Sequence, residues 1–217
     1  MFAYPKQASF GKVLPKSKIY QHARPTKRVQ QLFVDQVSRI IWQYKLSPET
    51  VNLPSRPGVP EIHIFTIELK TGELDEGVLR CIDKAISFPI FYELVFEDRV
   101  KEMVAYKRPS DADTSKWVVD DYFAAEWQPA DAERDPLPVS LDLAKLYELL
   151  LRRLMPFTAR DGESLKAHVE RLTAARSKET QCRKLEARLE REKQFNRKVE
   201  LNAELRTIKN ELEALIG

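Results

Sequence analysis

The sequence predicts an α+β fold: a small mixed, largely antiparallel sheet with flanking helices, followed by a C-terminal long-helix or helical-hairpin extension that is coiled-coil-like. Three observations predict it. Residues 60–96 read as strand, helix and strand; two further strand patterns follow within 30 residues; and residues 163–217 hold dense charge, periodic leucines and no proline. Glu61–Lys70 is rich in β-branched and aromatic residues and ends at Thr71-Gly72. Asp75–Ile86 has helical spacing, and Ile90–Phe96 is an apolar run of the length of a buried strand. Arg99–Tyr106 reads as a strand paired to its predecessor through Glu97-Asp98. Trp117–Phe123 reads as one more, with 109–115 as the connection, which gives four or five strands.

Before this unit, Thr26 is placed to cap a helix from Lys27. Val29, Leu32, Phe33, Val37, Ile40, Ile41 and Tyr44 recur at spacings of three and four, which predicts one amphipathic helix as far as Ser47-Pro48. Thr50–Leu53 reads as a short strand before the turn 54–60. After the unit, residues 124–139 have the composition of a loop. Ser140 is the expected cap of a helix from Leu141 to about Met155.

The charge is uneven. The whole chain of 217 residues carries +3, but residues 1–34 hold seven Lys or Arg and no acid, residues 35–159 are net −7, and residues 160–217 are net +3. The domain reading is a basic aromatic segment at 1–26, an α+β domain at 27–155, a linker at 156–162 and a charged helical arm or hairpin at 163–217. Lys12, Lys16, Lys18, Arg24, Lys27 and Arg28, interleaved with Tyr4, Phe10 and Tyr20, are candidates for binding nucleic acid, because phosphates pair with cations and bases stack on rings. The alternative is that these rings anchor the segment to its own domain.

In the C-terminal arm Leu165, Val169, Leu172, Cys182, Leu185 and Leu189 follow a heptad-like spacing. The later set, Leu201, Leu205, Ile208, Leu212 and Leu215, is displaced from it by two residues near Phe195-Asn196. Such a slip marks either a stutter in one rod or a reversal into a hairpin. Leu185, Leu189, Leu201, Leu205, Ile208 and Leu212 are the candidate partner-binding positions, and packing within the arm is the competing explanation.

One motif carries possible chemistry. Glu68 and Lys70 lie two apart on a strand, so both project from one face, as in restriction-endonuclease-like nucleases, where the acid holds Mg²⁺ and the lysine orients water. A second acid is needed, usually from just upstream, and the candidates are Glu61, on the opposite face of the same strand, and Asp35 on the preceding helix. Outside that alternative no cofactor and no metal site is expected, since His22, His63 and His168 stand in separate segments. Asp83 has Arg80 and Lys84 within helical reach, which reads as an intrahelical ion pair. Cys81 and Cys182 fall in different regions, so no disulfide is expected. With no signal peptide and no apolar span, the expected location is the cytoplasm.

The runs LPKSKIY at 14–20, FVDQVSRIIWQYKLSPETVNL at 33–53, EIHIFTIELK at 61–70, VLRCIDKAISFPIFYEL at 78–94, AYKRP at 105–109, KWVVDDYFAAEW at 116–127 and QFNRKVELNAELR at 194–206 resemble a bacterial family of unknown function, numbered four-three-nine-one. The resemblance spans nearly the whole chain. It implies a companion of helicases and DNA methyltransferases in restriction or phage-defence clusters, and it supplies no catalytic residues. The reading that follows is a non-catalytic accessory or adaptor subunit that docks on such a protein through its helical arm, with DNA contacted directly or through the partner and no membrane association. A metal-dependent nuclease using Glu68 and Lys70, and a DNA-binding module using the basic arm, are the alternatives.

Overall fold

The strand Ile62–Leu69 (β4), the helix Glu76–Ala85 (α4) and the strand Ile90–Phe96 (β5) form the centre of the molecule. The computed structural model describes residues 1–110, 112–113 and 117–217. Because α4 returns the chain to the same end of the sheet, β4 and β5 pair in parallel, from His63 opposite Ile90 to Glu68 opposite Val95. Asp75 caps α4, its carboxylate accepting from the Gly77 amide at 2.7 Å. All other pairings along the main sheet are antiparallel. The sequence-derived expectation of a mixed, largely antiparallel sheet with flanking helices and a long helical C-terminus is met.

The sheet is larger than four or five strands. Its order is Ser9–Val13 (β2), Val37–Leu46 (β3), β4, β5, Arg99–Pro109 (β6) and Trp117–Ala124 (β7), and Gln128–Pro129 (β8) also pairs with β6, making seven among the described residues. Phe2–Ala3 (β1) pairs separately with Asp135–Pro136 (β9). The hairpin expected through Glu97-Asp98 joins β5 to β6, with Glu97 in the left-handed region at φ 54°. The connection read over 109–115 includes Asp111, Thr114 and Ser115, which lie outside the described residues.

Residues 27–46 correct the single-helix reading. Lys27–Gln36 is helical (α2), capped by Thr26, but the chain becomes β3 at Val37. Two register irregularities explain the misleading periodicity. One lies between Val37 and Arg39 and the other between Trp42 and Tyr44, where β3 spends two residues against one on β4. Each bulge resets the alternation. The apolar positions Val37, Ile40, Ile41 and Tyr44 therefore recur at three and four residues although the backbone is extended. Thr50–Leu53 is likewise not a strand: Pro48–Val51 is a short helix (α3), with reciprocal Ser47 and Thr50 caps. The cap of Leu143–Arg153 (α5) is Asp142 rather than Ser140, its carboxylate accepting from the Lys145 amide at 2.8 Å.

The segment 1–26 is built into the domain. It contributes β1, β2 and the helix Lys16–Ala23 (α1). α1, α2 and α4 cover one face of the sheet, where Ile19, Ala23, Phe33, Val78, Leu79 and Ile82 pack with Phe65, Ile67, Tyr92 and Leu94 in one core. These side chains are almost fully withdrawn from water, and each Val, Leu, Ile or Phe among them is worth on the order of 1.5–3 kcal/mol in transfer free energy. By strand alternation Ile62, Ile64 and Phe91 face the opposite side. The Tyr147 hydroxyl of α5 approaches β6, accepting from the Lys107 amide at 2.9 Å and donating to the Ala105 carbonyl at 2.7 Å. That hydroxyl satisfies backbone groups at a further register shift, between Ala105 and Lys107, that the pairing with β7 leaves open.

The chain divides into two compact units, Met1–Met155 and Pro156–Gly217. Within the second, Ser164 caps Leu165–Arg191 (α6), the chain reverses at 192–194, and Phe195–Ile216 (α7) runs back along it. Arg171 donates to the Leu215 carbonyl at 2.7 Å, Lys178 pairs with Glu211, and Lys209 pairs with Glu186 at 2.8 Å, an order that only an antiparallel hairpin produces. The two-residue slip therefore marks a reversal. Cys182, Leu185, Leu201 and Leu205 form the hairpin's own core, with Leu189 and Ile208 packed against it.

Candidate functional site

Four places in the molecule hold the chemistry that the sequence brings together. At the end of β4, Glu68 accepts from Arg39 on β3 at 3.0 Å and 2.5 Å in a two-pronged ion pair, and Lys70 donates from Nζ to the Val34 carbonyl at 2.7 Å. The face that would carry a metal is thus occupied by a guanidinium and a backbone carbonyl. Of the two candidate second acids, Asp35 accepts from Gln31 at 2.8 Å and Glu61 bridges Lys45 and His63. Among the described residues no group of three or more His, Cys, Asp or Glu is placed to hold a metal ion.

The basic N-terminal residues separate into two kinds. Lys16 spans from α1 to the α2–β3 junction, donating to the Phe33 carbonyl at 2.7 Å and the Val37 carbonyl at 2.6 Å. It closes the C-terminal end of α2 where the backbone changes from helix to strand. Lys12, Lys18, Arg24, Lys27 and Arg28 are exposed. The rings between them are anchors: Phe10 lies 4.3 Å from Trp42, Tyr4 lies 4.8 Å from Tyr44, and Tyr20 meets Phe33 edge-on at 5.3 Å. Lys12 lies over the Phe10 ring.

The third place corrects the reading of Asp83. Its carboxylate is buried, not paired to its helix neighbours; Arg80 instead meets Glu76 at 3.5 Å. Asp83 accepts a short hydrogen bond from the Tyr122 hydroxyl and lies 3.3 Å from the Lys107 ammonium. Lys107, itself buried, also donates to the Asp83 carbonyl at 2.7 Å and to the Ile86 carbonyl, so it closes the end of α4 as well as balancing the charge. Burial pushes the Asp83 carboxyl up and the Lys107 ammonium down, each partly opposed by the other's charge. The Tyr122 and Tyr92 phenols are held far above their ordinary range, first by burial and then by Asp83. Every group here is closed off by protein, so the cluster ties α4 to β6 and β7. A signal for it existed in the sequence: Asp83 continues the apolar stripe Leu79, Ile82 and Ile86, a face on which a solvated carboxylate does not belong.

The fourth place is a cleft of about 460 Å³ between α1, β3, β4 and the α4–β5 connection. Its wall is formed by Trp42, His63, Phe65, Ile86 and Phe88, and Lys18 and His22 stand on its α1 side. The His63 ring lies tilted against Trp42, with centroids 4.3 Å apart, and against Phe88, 5.0 Å apart. Its Nε2 is 2.7 Å from Glu61, whose other oxygen meets Lys45 at 2.6 Å. Burial lowers the His63 pKa to about 4 despite Glu61. The imidazole is therefore neutral at neutral pH. Since the carboxylate only accepts, the proton resides on Nε2 and Nδ1 is an acceptor; it is buried with no partner among the described residues. Nothing about His63 in the sequence signals this, because its cleft neighbours come from four separate segments.

The candidate partner-binding positions are also accounted for. Leu185, Leu201 and Leu205 are buried in the hairpin seam, Leu189 and Ile208 border it, and Leu212 is half-buried. The apolar side chains left exposed on α7 are Phe195, at 78%, Val199, at 53%, and Ile216, at 38%.

Residues 2–212 match the profile of a family described as a domain of unknown function, DUF4391. The chain belongs to this family. No curated protein matches it, and no solved structure does. This DUF4391 chain has no described helix long and apolar enough to cross a membrane.

Proposed function

We propose that the protein is a non-catalytic accessory or adaptor subunit of a bacterial DNA restriction or anti-phage assembly, docking on a helicase or DNA methyltransferase through its helical hairpin. The observation that carries this reading is the hairpin itself. It is a compact unit with its own core, yet its first α7 turn presents Phe195 and Val199, one helical turn apart, to solvent. Exposed aromatic and branched side chains at one end of an otherwise charged rod are the composition of an interface centre. In this reading the docking surface lies at the turn end of the hairpin, since Leu185, Leu201 and Leu205 hold the two helices together. The context of a DNA-processing assembly rests on the sequence resemblance.

The contacts of Glu68 and Lys70 favour a structural role over a nuclease one. A strand-end acid locked by arginine must release it before it can ligate Mg²⁺, and among the described residues no group of three or more His, Cys, Asp or Glu is placed to hold the ion. Purified protein incubated with supercoiled and linear DNA and Mg²⁺ or Mn²⁺ is expected to leave the DNA intact. Cleavage that disappears in Lys70→Ala would overturn the non-catalytic reading.

DNA contact is the second reading, favoured by one observation: Lys12, Lys18, Arg24, Lys27 and Arg28 are all exposed, in a stretch of 34 residues without a single acid. It is compatible with the first, because an adaptor that touches DNA through weak phosphate contacts adds affinity to the partner's own.

A further inference from the structure

We propose that the cleft between α1, β3, β4 and the α4–β5 connection is a binding site for a small planar aromatic anion, of the aromatic carboxylate class. The size is suitable: about 460 Å³ lies within the roughly 300–1,000 Å³ of ordinary small-molecule sites. The wall selects an aromatic body. Trp42, His63, Phe65 and Phe88 line it from three different elements, and no carboxylate is among the lining residues. Offset or edge contacts with such rings add about 0.5–1.5 kcal/mol per pair beyond the area buried.

The charge at the α1 side selects the head group. Lys18 and His22 are one helical turn apart and both line the cleft, and α1 contains no acid to neutralise the Lys18 ammonium. Lys16, two residues earlier, is consumed by the α2 carbonyls, so Lys18 is the α1 ammonium available to a ligand at this mouth. A carboxylate bound there gains a charge-assisted contact at the rim of an apolar cavity.

His63 is the second, independent observation. A neutral imidazole whose Nε2 is fixed by Glu61 leaves Nδ1 as a buried acceptor without a partner, in a ring that forms part of the wall. Buried acceptors left unpaired cost about 1–3 kcal/mol. A ring N–H or O–H on a ligand that reaches Nδ1 relieves that cost, so donor-bearing rings are favoured over hydrocarbon ones. A nucleoside monophosphate also joins a planar ring to an anion, but the wall holds no amide or carboxylate with which to read the polar edge of a base.

The test uses the full chain labelled with ¹⁵N, following the Trp42 indole and neighbouring amides during titration with indole-3-acetate, its methyl ester, naphthalene-1-acetate and adenosine monophosphate. Saturable shifts at Trp42 with indole-3-acetate are expected, with affinity about tenfold weaker for the ester and for the acid against Lys18→Glu, an exposed substitution that leaves the core intact. His63→Phe keeps an aromatic ring in the wall and is expected to remove the preference for indole-3-acetate over naphthalene-1-acetate. Tighter binding of adenosine monophosphate than of both acids would overturn the carboxylate class in favour of a nucleotide. Absence of saturable binding by either acid, or equal affinities for acid and ester, would overturn the site.

Discussion

Lys107→Ala is expected to destabilise the 1–155 unit by about 3–5 kcal/mol, the usual cost of removing one partner from a buried ion pair. Lys107 and Asp83 are each nearly inaccessible to water, and the ammonium also holds two carbonyls at the end of α4. Without it, Asp83 must either stay charged in an apolar interior or take up a proton, and the last turn of α4 loses its closing donor. The pair as a whole is a different matter. Its own desolvation offsets most of its attraction, so Asp83→Leu combined with Lys107→Met is expected to recover a large part of the loss. Urea denaturation of the single and double variants measures both. A single-variant loss below about 1 kcal/mol would mean that water reaches the cluster and that it does not tie α4 to the sheet.

Acidification is expected to act through His63. Its folded-state pKa, about 4, lies below the ordinary 6.5, so the fold favours the neutral ring. A depressed folded pKa gives stability that is complete above about 6.5 and is lost as pH falls towards 4, because the unfolded chain takes up the proton first. Between pH 7 and pH 4.5 this one group is expected to remove about 2–3 kcal/mol. Asp83, whose pKa is raised by burial, works in the opposite direction, gaining stability as it protonates. The two are separated by comparing the protein with His63→Phe, in which the Asp83 contribution remains. Stability of His63→Phe is expected to fall less than that of the parent over this interval, and parallel pH profiles would contradict the assignment of a neutral buried imidazole.

The sequence made the central unit legible because its signals were local. A capping aspartate, a proline re-entry and a continuous apolar strand fixed α4 and β5 closely. It misled where tertiary pairing rewrites periodicity. In β3 the two bulges against β4 give an extended strand the spacing of a helix, and no single-chain pattern separates those cases. The helical reversal was legible as one of two options, because the leucine register slips at Phe195 whether or not the chain turns.

The candidate sites were less legible for the same reason. Glu68 and Lys70 stood out by spacing, but the residues that occupy them, Arg39 and Val34, belong to an earlier strand and helix whose register is set by those bulges. Asp83 reads as an intrahelical ion pair because its nearest cations in sequence are Arg80 and Lys84, whereas the charge that balances it comes from Lys107, two strands away in the chain. His63 gained its surroundings from β3, α1 and the α4–β5 connection together.

The most direct test of the adaptor reading is the composition of the complex recovered with this protein when it is tagged at its own locus. The full chain is expected to bring down, in stoichiometric amount, a helicase or DNA methyltransferase encoded beside it. The Phe195→Glu, Val199→Glu variant, altered only at exposed positions, is expected to lose that partner while keeping its helical content. Undiminished recovery of the partner by the variant, or isolation of the full chain alone, would contradict docking through the hairpin.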